Sequence, residues 1–272
     1  MLQKNKNLLI AIIISIFLIS GAFFMVNVPL SPKYSTVSSL NVVIFGLPSF
    51  WALFRWIGIK SAILIITSLG VYALVIESIG LLTGFPYGEF SYSEILGFRL
   101  FGVVPWTVAF AWSPLVLSVL AVTRKTIKSA WLRGLAMTLL LVLIDMVLDP
   151  GAVYLGFWKY SSGGSFYQVP LTNFAGWIFS GAIGAGITEI LLFYIKPISP
   201  VPVQLTTSSF FLLVFWTAIA IWAGLIIPAL LGLILLSALS LFYHRFYYAF
   251  DTTRRLAKVL RHFENKEKLS NN

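Results

Sequence analysis

Cysteine is absent from this chain, and other residues that soluble enzymes use for chemistry are scarce. Without cysteine there are no disulfides, thiolate metal sites or cysteine nucleophiles. The only two histidines, His244 and His262, lie near the C-terminal end, which argues against a histidine metal site. Charged residues make up 10% of the chain, whereas a soluble domain has about 25%. A soluble globular enzyme is therefore not expected.

Long apolar runs dominate the chain, of which 59% is hydrophobic. A membrane-spanning helix needs about 20 apolar residues to cross about 30 Å of hydrocarbon. We count eight candidate spans, at residues 8–28, 38–56, 60–82, 100–122, 134–150, 173–195, 207–225 and 227–245. The second span is the weakest, and the last two form either a tight hairpin near Gly224 and Pro228 or a re-entrant pair. The sequence predicts an all-α integral membrane protein, a bundle of about eight transmembrane helices, with seven as the alternative.

The first apolar run needs a separate interpretation, because Lys4 and Lys6 precede it as they would in a signal peptide. The run is longer than the usual apolar region of about 7–15 residues in such a peptide, and no A-x-A cleavage site follows it. We expect an uncleaved first helix.

Basic residues predict the orientation of the bundle, because Lys and Arg collect in cytoplasmic segments. With the N-terminus inside, the three basic residues of the outer loops are Lys33, Arg99 and Lys159, and the other sixteen of nineteen lie inside. This asymmetry predicts eight spans, both termini in the cytoplasm and a multi-pass protein of the cell membrane. It also explains the net charge of +10 without a nucleic-acid partner.

The domain prediction is a single transmembrane helical domain over residues 1–250 and a basic cytoplasmic tail over 251–272. The tail contains RRLAKVLRHF, in which basic and apolar residues alternate at near-helical spacing. Such a segment is attracted to anionic lipid at the inner membrane surface. Binding of nucleic acid is the weaker interpretation of this tail.

Three acids are predicted to reach one layer of the membrane. An acid inside a membrane helix costs about 2.5–3.5 kcal/mol and usually marks function. Glu77 lies in the last two turns of the third span, and Asp145 and Asp149 share one helix face at i and i+4 near the end of the fifth. Pro150 is expected to end that helix. Asn173 begins the sixth span at the same level.

Glu189 is not expected to join these acids. It lies sixteen residues beyond Asn173 on the same span, which is about 24 Å along a helix at 1.5 Å per residue.

Aromatic side chains crowd the two loops beside the acid layer, among glycines and prolines. An aromatic belt at the membrane interface explains any single ring equally well. Their clustering beside acids favours a lined pocket for some of them. The candidate substrate-binding residues are Tyr87, Glu89, Tyr92, Trp106, Trp158, Tyr167, Asn173 and Trp177.

The acids suit proton chemistry better than metal chemistry. Asp145 and Asp149 form D-x-x-x-D, which holds Mg²⁺ for a diphosphate in membrane prenyltransferases, but a second aspartate-rich motif is absent and the outer loops carry few basic residues. Removal from water favours the protonated form of a carboxyl. A protonated carboxyl is a general acid, and an ionised neighbour is a base. We expect neither metal nor cofactor, and an apolar substrate that enters from lipid.

Four motifs in order resemble the membrane carotenoid 1,2-hydratases of the CruF type, which include the archaeal bisanhydrobacterioruberin hydratases. They are E-x-x-G-x-x-T-G-x-P-Y-G-x-F-x-Y from Glu77, G-V-x-P-W from Gly102, D-x-x-x-D-P from Asp145, and W-x-Y…V-P-x-x-N-F-x-G-W from Trp158. The resemblance spans roughly residues 60–195.

The resemblance implies that water adds to the terminal C1=C2 double bond of an acyclic carotenoid end group, such as that of lycopene or a C50 carotenoid, giving a tertiary alcohol. Its partners would be this isoprenoid pigment, water and membrane lipid, with other enzymes of the carotenoid pathway as a further expectation. The catalytic candidates are Glu77, Asp145 and Asp149. One of the aspartates would donate the proton, and Glu77 would hold the water or accept its proton.

Three other classes remain open from the sequence alone. A lycopene cyclase also begins by protonating an alkene, so the same acids would serve. A proton-coupled transporter would need acids along a path across the bilayer, whereas all but Glu189 lie toward one face. A purely structural membrane protein would not explain the acid layer.

Overall fold

Eight long helices account for most of the chain in a computed structural model that describes residues 2–31, 33 and 35–247. Each contains a segment long and apolar enough to cross a membrane, so the prediction of an all-α, multi-pass membrane protein is confirmed. The tail predicted for 251–272 and His262 lie outside the described residues. The helices are α1 Leu2–Asn27, α2 Ser35–Ile57, α3 Ile59–Thr83, α4 Val108–Thr126, α5 Ala130–Tyr154, α6 Leu171–Ile195, α7 Thr207–Trp222 and α8 Ile226–Tyr247.

Four short strands shape the loops at one end of the bundle. They are β1 Phe90–Tyr92, β2 Arg99–Leu100, β3 Val104–Pro105 and β4 Trp158–Tyr160. Strands β2 and β3 form a small hairpin, while β1 pairs antiparallel with β4. The β1–β4 pair joins the α3–α4 loop to the α5–α6 loop. Both loops therefore form one cap over the same end of the bundle.

Of the helix limits next to the cap, two differ most from the sequence prediction. The fourth helix begins at Val108 rather than near residue 100, because the β2–β3 hairpin turns at Phe101 and Gly102, which both have positive φ. The fifth helix continues past Pro150 to Tyr154, so the prediction that Pro150 ends it is wrong. A proline removes one backbone donor, and membrane helices tolerate this because neighbouring helices compensate.

The last two helices form an antiparallel hairpin. Gly224, with φ 70°, turns the chain between them. Midway along the hairpin, Gly232 lies directly against Thr217, so that even a methyl group would not fit there. Small residues allow such close helix contact in membranes.

Glu189 lies among arginines at the opposite end of the bundle from the cap. It accepts hydrogen bonds from Arg124 at 2.7 Å and from Arg133 at 2.8 Å. This ion-pair cluster joins α4, α5 and α6. The prediction that Glu189 stands apart from the other membrane acids is confirmed.

Candidate active site

A cavity of about 470 Å³ lies beneath the cap, where α3 and α5 end and α4 and α6 begin. All three predicted catalytic acids and five of the eight predicted substrate-binding residues line it. They are Glu77, Tyr87, Tyr92, Asp145, Asp149, Trp158, Asn173 and Trp177. The rest of the wall is largely aliphatic and aromatic. The structure therefore combines a few convergent polar groups with an apolar chamber, as small-molecule sites commonly do.

Asp149 is the most strongly hydrogen-bonded acid of the cavity. Its Oδ1 accepts a bond from the Trp158 indole N–H at 2.6 Å. Its Oδ2 accepts bonds from the Tyr160 hydroxyl at 2.8 Å and the Asn173 amide at 2.7 Å. Hydrogen bonds of this kind orient a carboxylate and stabilise its charged form.

Asn173 connects the two aspartates. Its amide nitrogen donates to Asp149 and also to Oδ2 of Asp145, at 2.9 Å. Among the described residues no donor reaches the other Asp145 oxygen. Both carboxyls and the amide are buried from solvent, at 2% exposure each. Asp145 therefore keeps an oxygen with no hydrogen-bond partner among the described residues, while both oxygens of Asp149 are occupied.

Glu77 approaches the cavity from the last two turns of α3. Its Oε2 accepts a hydrogen bond at 3.1 Å from the hydroxyl of Tyr92, on strand β1. It is buried like the two aspartates. Tyr92, in the loop that follows α3, thus contacts the acid that α3 contributes to the cavity.

Tyr92 and Tyr160 of the cap are neutral donors to the acids. Burial, followed by the charges of Asp149 and Asp145, raises the pKa of Tyr160 far above its usual value. Burial and the neighbouring Glu77 carboxyl raise the pKa of Tyr92 well above its usual value. Both hydroxyls consequently keep their protons at any pH at which a membrane enzyme works.

Aromatic rings build two walls of the chamber. Trp112 and Trp177 stack face to face, with centroids 4.7 Å apart and planes within 6°. On the cap side, the β1–β4 pairing sets Tyr92 opposite Trp158 and Phe90 opposite Tyr160. The Tyr92 and Trp158 rings meet edge to face at 5.7 Å. Faces of such rings attract a cation.

Three predicted substrate-binding residues do not line the cavity. Glu89 is exposed, because side chains alternate along β1 and Phe90 and Tyr92 take the inner face. Trp106 packs edge to face on Phe110 at 5.6 Å. The hydroxyl of Tyr167 accepts a hydrogen bond from a backbone N–H in the first turn of α8.

Two residues that line the site, Tyr160 and Trp112, are not among the predicted site residues. Tyr160 lies two positions after Trp158, so the alternation of a strand puts both side chains on one face, and that spacing could have identified it. Trp112 is one apolar residue in an apolar helix. Nothing in the sequence distinguishes it before its partner Trp177 is placed beside it.

The chain resembles members of one known protein family. Residues 35–239 match a family described as carotenoid biosynthesis protein. This stretch is well over half of the chain and contains every cavity residue named above. The chain belongs to the carotenoid biosynthesis protein family.

One curated relative of this chain is the bisanhydrobacterioruberin hydratase of Haloarcula japonica. The two are 41% identical over 128 residues. The aligned stretch covers 46% of this chain and 43% of the relative, so the chain spans less than half of the relative's length. No solved structure matches the chain.

Proposed function

We propose that this protein hydrates an acyclic carotenoid, adding water across the terminal C1=C2 double bond of an end group to give a tertiary alcohol. One observation carries the proposal: three buried acids, two of them bridged by Asn173, face an apolar, aromatic-walled cavity inside a membrane bundle. Membership of a carotenoid biosynthesis family and the name of the hydratase relative support it.

Asp145 is the proton donor in this proposal. Its unpartnered oxygen leaves a position from which an O–H can reach the substrate, whereas Asp149 accepts three hydrogen bonds that hold it in place. The O–H bond of Asp145 breaks as a C–H bond forms at C2. The π electrons move to that new bond and leave a tertiary cation at C1.

Aromatic rings and water complete the reaction. A cation over a desolvated ring is stabilised by about 2 kcal/mol or more, and the Trp112–Trp177 stack and the Tyr92–Trp158 pair provide such rings. Water then forms the C1–O bond, and its extra proton passes to Glu77. Return of that proton to Asp145 regenerates the site. In this account the enzyme is a hydro-lyase that needs no cofactor.

The hydrogen-bond donors around Asp149 also argue against a Mg²⁺–diphosphate site at Asp145 and Asp149. A D-x-x-x-D motif that held Mg²⁺ would turn carboxylate oxygens toward the ion. Here both Asp149 oxygens face N–H and O–H groups of Trp158, Tyr160 and Asn173. This arrangement supports proton chemistry at the acid pair.

The distribution of basic residues supports a proposed orientation in the membrane. We propose that it lies in the plasma membrane as a single domain with both termini in the cytoplasm, so that the cap faces outward. The site then lies near the interface where a membrane-length carotenoid has its end group.

Pigment analysis tests the proposed function. Liquid chromatography with mass spectrometry is applied to a host that accumulates lycopene, and to one that accumulates a C50 acyclic carotenoid, each with and without this protein. A product heavier by one or two waters with an unchanged absorption spectrum is expected. An isomer of unchanged mass would indicate a cyclase, and unchanged pigment in both hosts would refute the proposal.

Amide variants test the acids individually. Glu77→Gln and Asp145→Asn should each reduce turnover by at least about a hundredfold, the usual contribution of a general acid or base. Asp149→Asn should also reduce turnover, because Asp149 holds the Asn173 amide that contacts Asp145. The matched control is Glu94→Gln, because Glu94 is an exposed acid paired with Arg99 on the cap surface. Full activity in all three variants would contradict the assignment of the site.

A further inference from the structure

A groove runs down the bundle between α1 and α2. Both helices pack closely against α7, but they do not pack closely against each other. Helix α7 is therefore the floor of the groove, and α1 and α2 are its sides. Most of α1 faces outward, with apolar side chains such as Phe17 at 74% exposure.

The groove is continuous with the acid-lined cavity. The cavity wall includes Phe17 and Gly21 of α1, Val37 and Asn41 of α2, and Phe215 of α7. Phe17, Val37 and Asn41 are at the same time exposed on the outer surface of the bundle. A side chain that lines a cavity and is also exposed marks an opening. The chamber thus opens sideways, toward the region that lipid chains occupy.

The cavity is too short for a whole carotenoid. Its lining residues all lie in the half of the bundle next to the cap, whereas an acyclic carotenoid is about as long as the roughly 30 Å hydrocarbon layer is thick. Such a molecule is a long polyene with an end group at each end. One end group fits in the chamber, and the remainder of the chain has to lie outside it.

We propose that the opening between α1 and α2 is the entry for the substrate, and that its occupant is the polyene of an acyclic carotenoid. One end group reaches the acids while the rest of the chain extends along the groove into the bilayer. The apolar sides of the groove match this occupant, and the polar Ser38 and Asn41 lie near the cap end of α2. This inference depends on the proposed function.

Gly21 offers a direct test. A Cβ atom added there meets no heavy atom within 4 Å, and the position lines the cavity, so a side chain can start at this position and extend into the opening. Gly186 on α6 is the matched control. It is also a half-buried helix glycine with open space around it, and it does not line the cavity. Replacing either glycine also favours the helix.

The experiment compares Gly21→Ala, Gly21→Leu and Gly21→Phe with Gly186→Phe, as full-length protein in lipid discs. Hydration should decline with side-chain size, by about a hundredfold for Gly21→Phe if the end group is displaced by an ångström or more. Gly186→Phe should remain within about twofold of the unaltered protein. Thermal unfolding and particle size should be the same for all variants.

The possible results distinguish a failure of the proposed substrate entry from a failure of the proposed hydratase function. Hydration by the unaltered protein together with an equally active Gly21→Phe would overturn the entry alone. A decline in Gly21→Phe with a change in particle size would indicate a second copy of the chain in the groove, and would also overturn it. Failure of the unaltered protein to hydrate any acyclic carotenoid would refute the proposed function and the entry together.

Discussion

Tyr160→Phe removes one hydroxyl from the site and little else. That hydroxyl donates to Asp149 at 2.8 Å, and the ring is held separately by its contact with Phe90, centroid to centroid 5.9 Å. A hydrogen bond to a charged group contributes about 1.5–3 kcal/mol. Asp149 retains its hydrogen bonds from Trp158 and Asn173, so we expect the lower end of this range of free energies for the loss of the Tyr160 bond. About 1.5 kcal/mol corresponds to a roughly tenfold slower reaction.

The assay for Tyr160→Phe is the initial rate of hydrated pigment formation by purified protein in lipid discs. Tyr154→Phe is the matched control, because Tyr154 lies nearby at the end of α5 and is 51% exposed. The pH profile should keep its shape, since Tyr160 stays protonated throughout. A purely structural role would instead lower thermal stability and leave the rate of the folded protein unchanged.

Coupling between Tyr160 and Asp149 provides the decisive comparison. If Tyr160 acts by positioning Asp149, then Tyr160→Phe combined with Asp149→Asn should be no slower than Asp149→Asn alone. A full additional tenfold loss in the double variant would contradict a positioning role for Tyr160. So would a single Tyr160→Phe variant as fast as the unaltered protein.

Three further predictions concern other parts of the molecule. The hydroxyl of Tyr87 is buried and has no hydrogen-bond partner among the described residues, so Tyr87→Phe should leave the melting temperature unchanged or higher. A rate that falls in the same variant would show that this hydroxyl binds water or substrate. Glu189→Gln should lower the free energy of unfolding by about 1–3 kcal/mol, because Arg124 and Arg133 lose a partly buried partner. The hydration rate per folded molecule should not change. Unchanged thermal unfolding would contradict this prediction. With carotenoid in excess, the product with one added water should exceed the doubly hydrated product early in a time course, because one end group fits at a time; immediate double hydration would contradict it.

The helices and the acid layer could be predicted because the bilayer constrains both. Every backbone group in lipid must be satisfied within its own segment, so apolar runs become helices, and a costly acid must face inward. The i, i+4 spacing of Asp145 and Asp149 and the position of Asn173 at the start of α6 then brought them to one level. Their roles in the reaction remain predictions.

The cap could not be predicted in the same way. Pairing of β1 with β4 joins residues about seventy positions apart, and no local pattern specifies it. That pairing brings Tyr160 to Asp149 and turns Glu89 outward. The groove between α1 and α2 likewise depends on which helices pack together, and apolar side chains that face lipid or each other look alike in sequence. The extension of α5 past Pro150 shows tertiary packing overriding a local preference.

Labelled water tests whether the protein adds water to the pigment. Purified protein in lipid discs is given an acyclic carotenoid in water enriched in heavy oxygen, and the pigment is analysed by mass spectrometry. The expected product is a tertiary alcohol that carries the heavy oxygen, formed by the unaltered protein and not by Asp145→Asn. A product without the label, or one formed equally by Asp145→Asn, would contradict it.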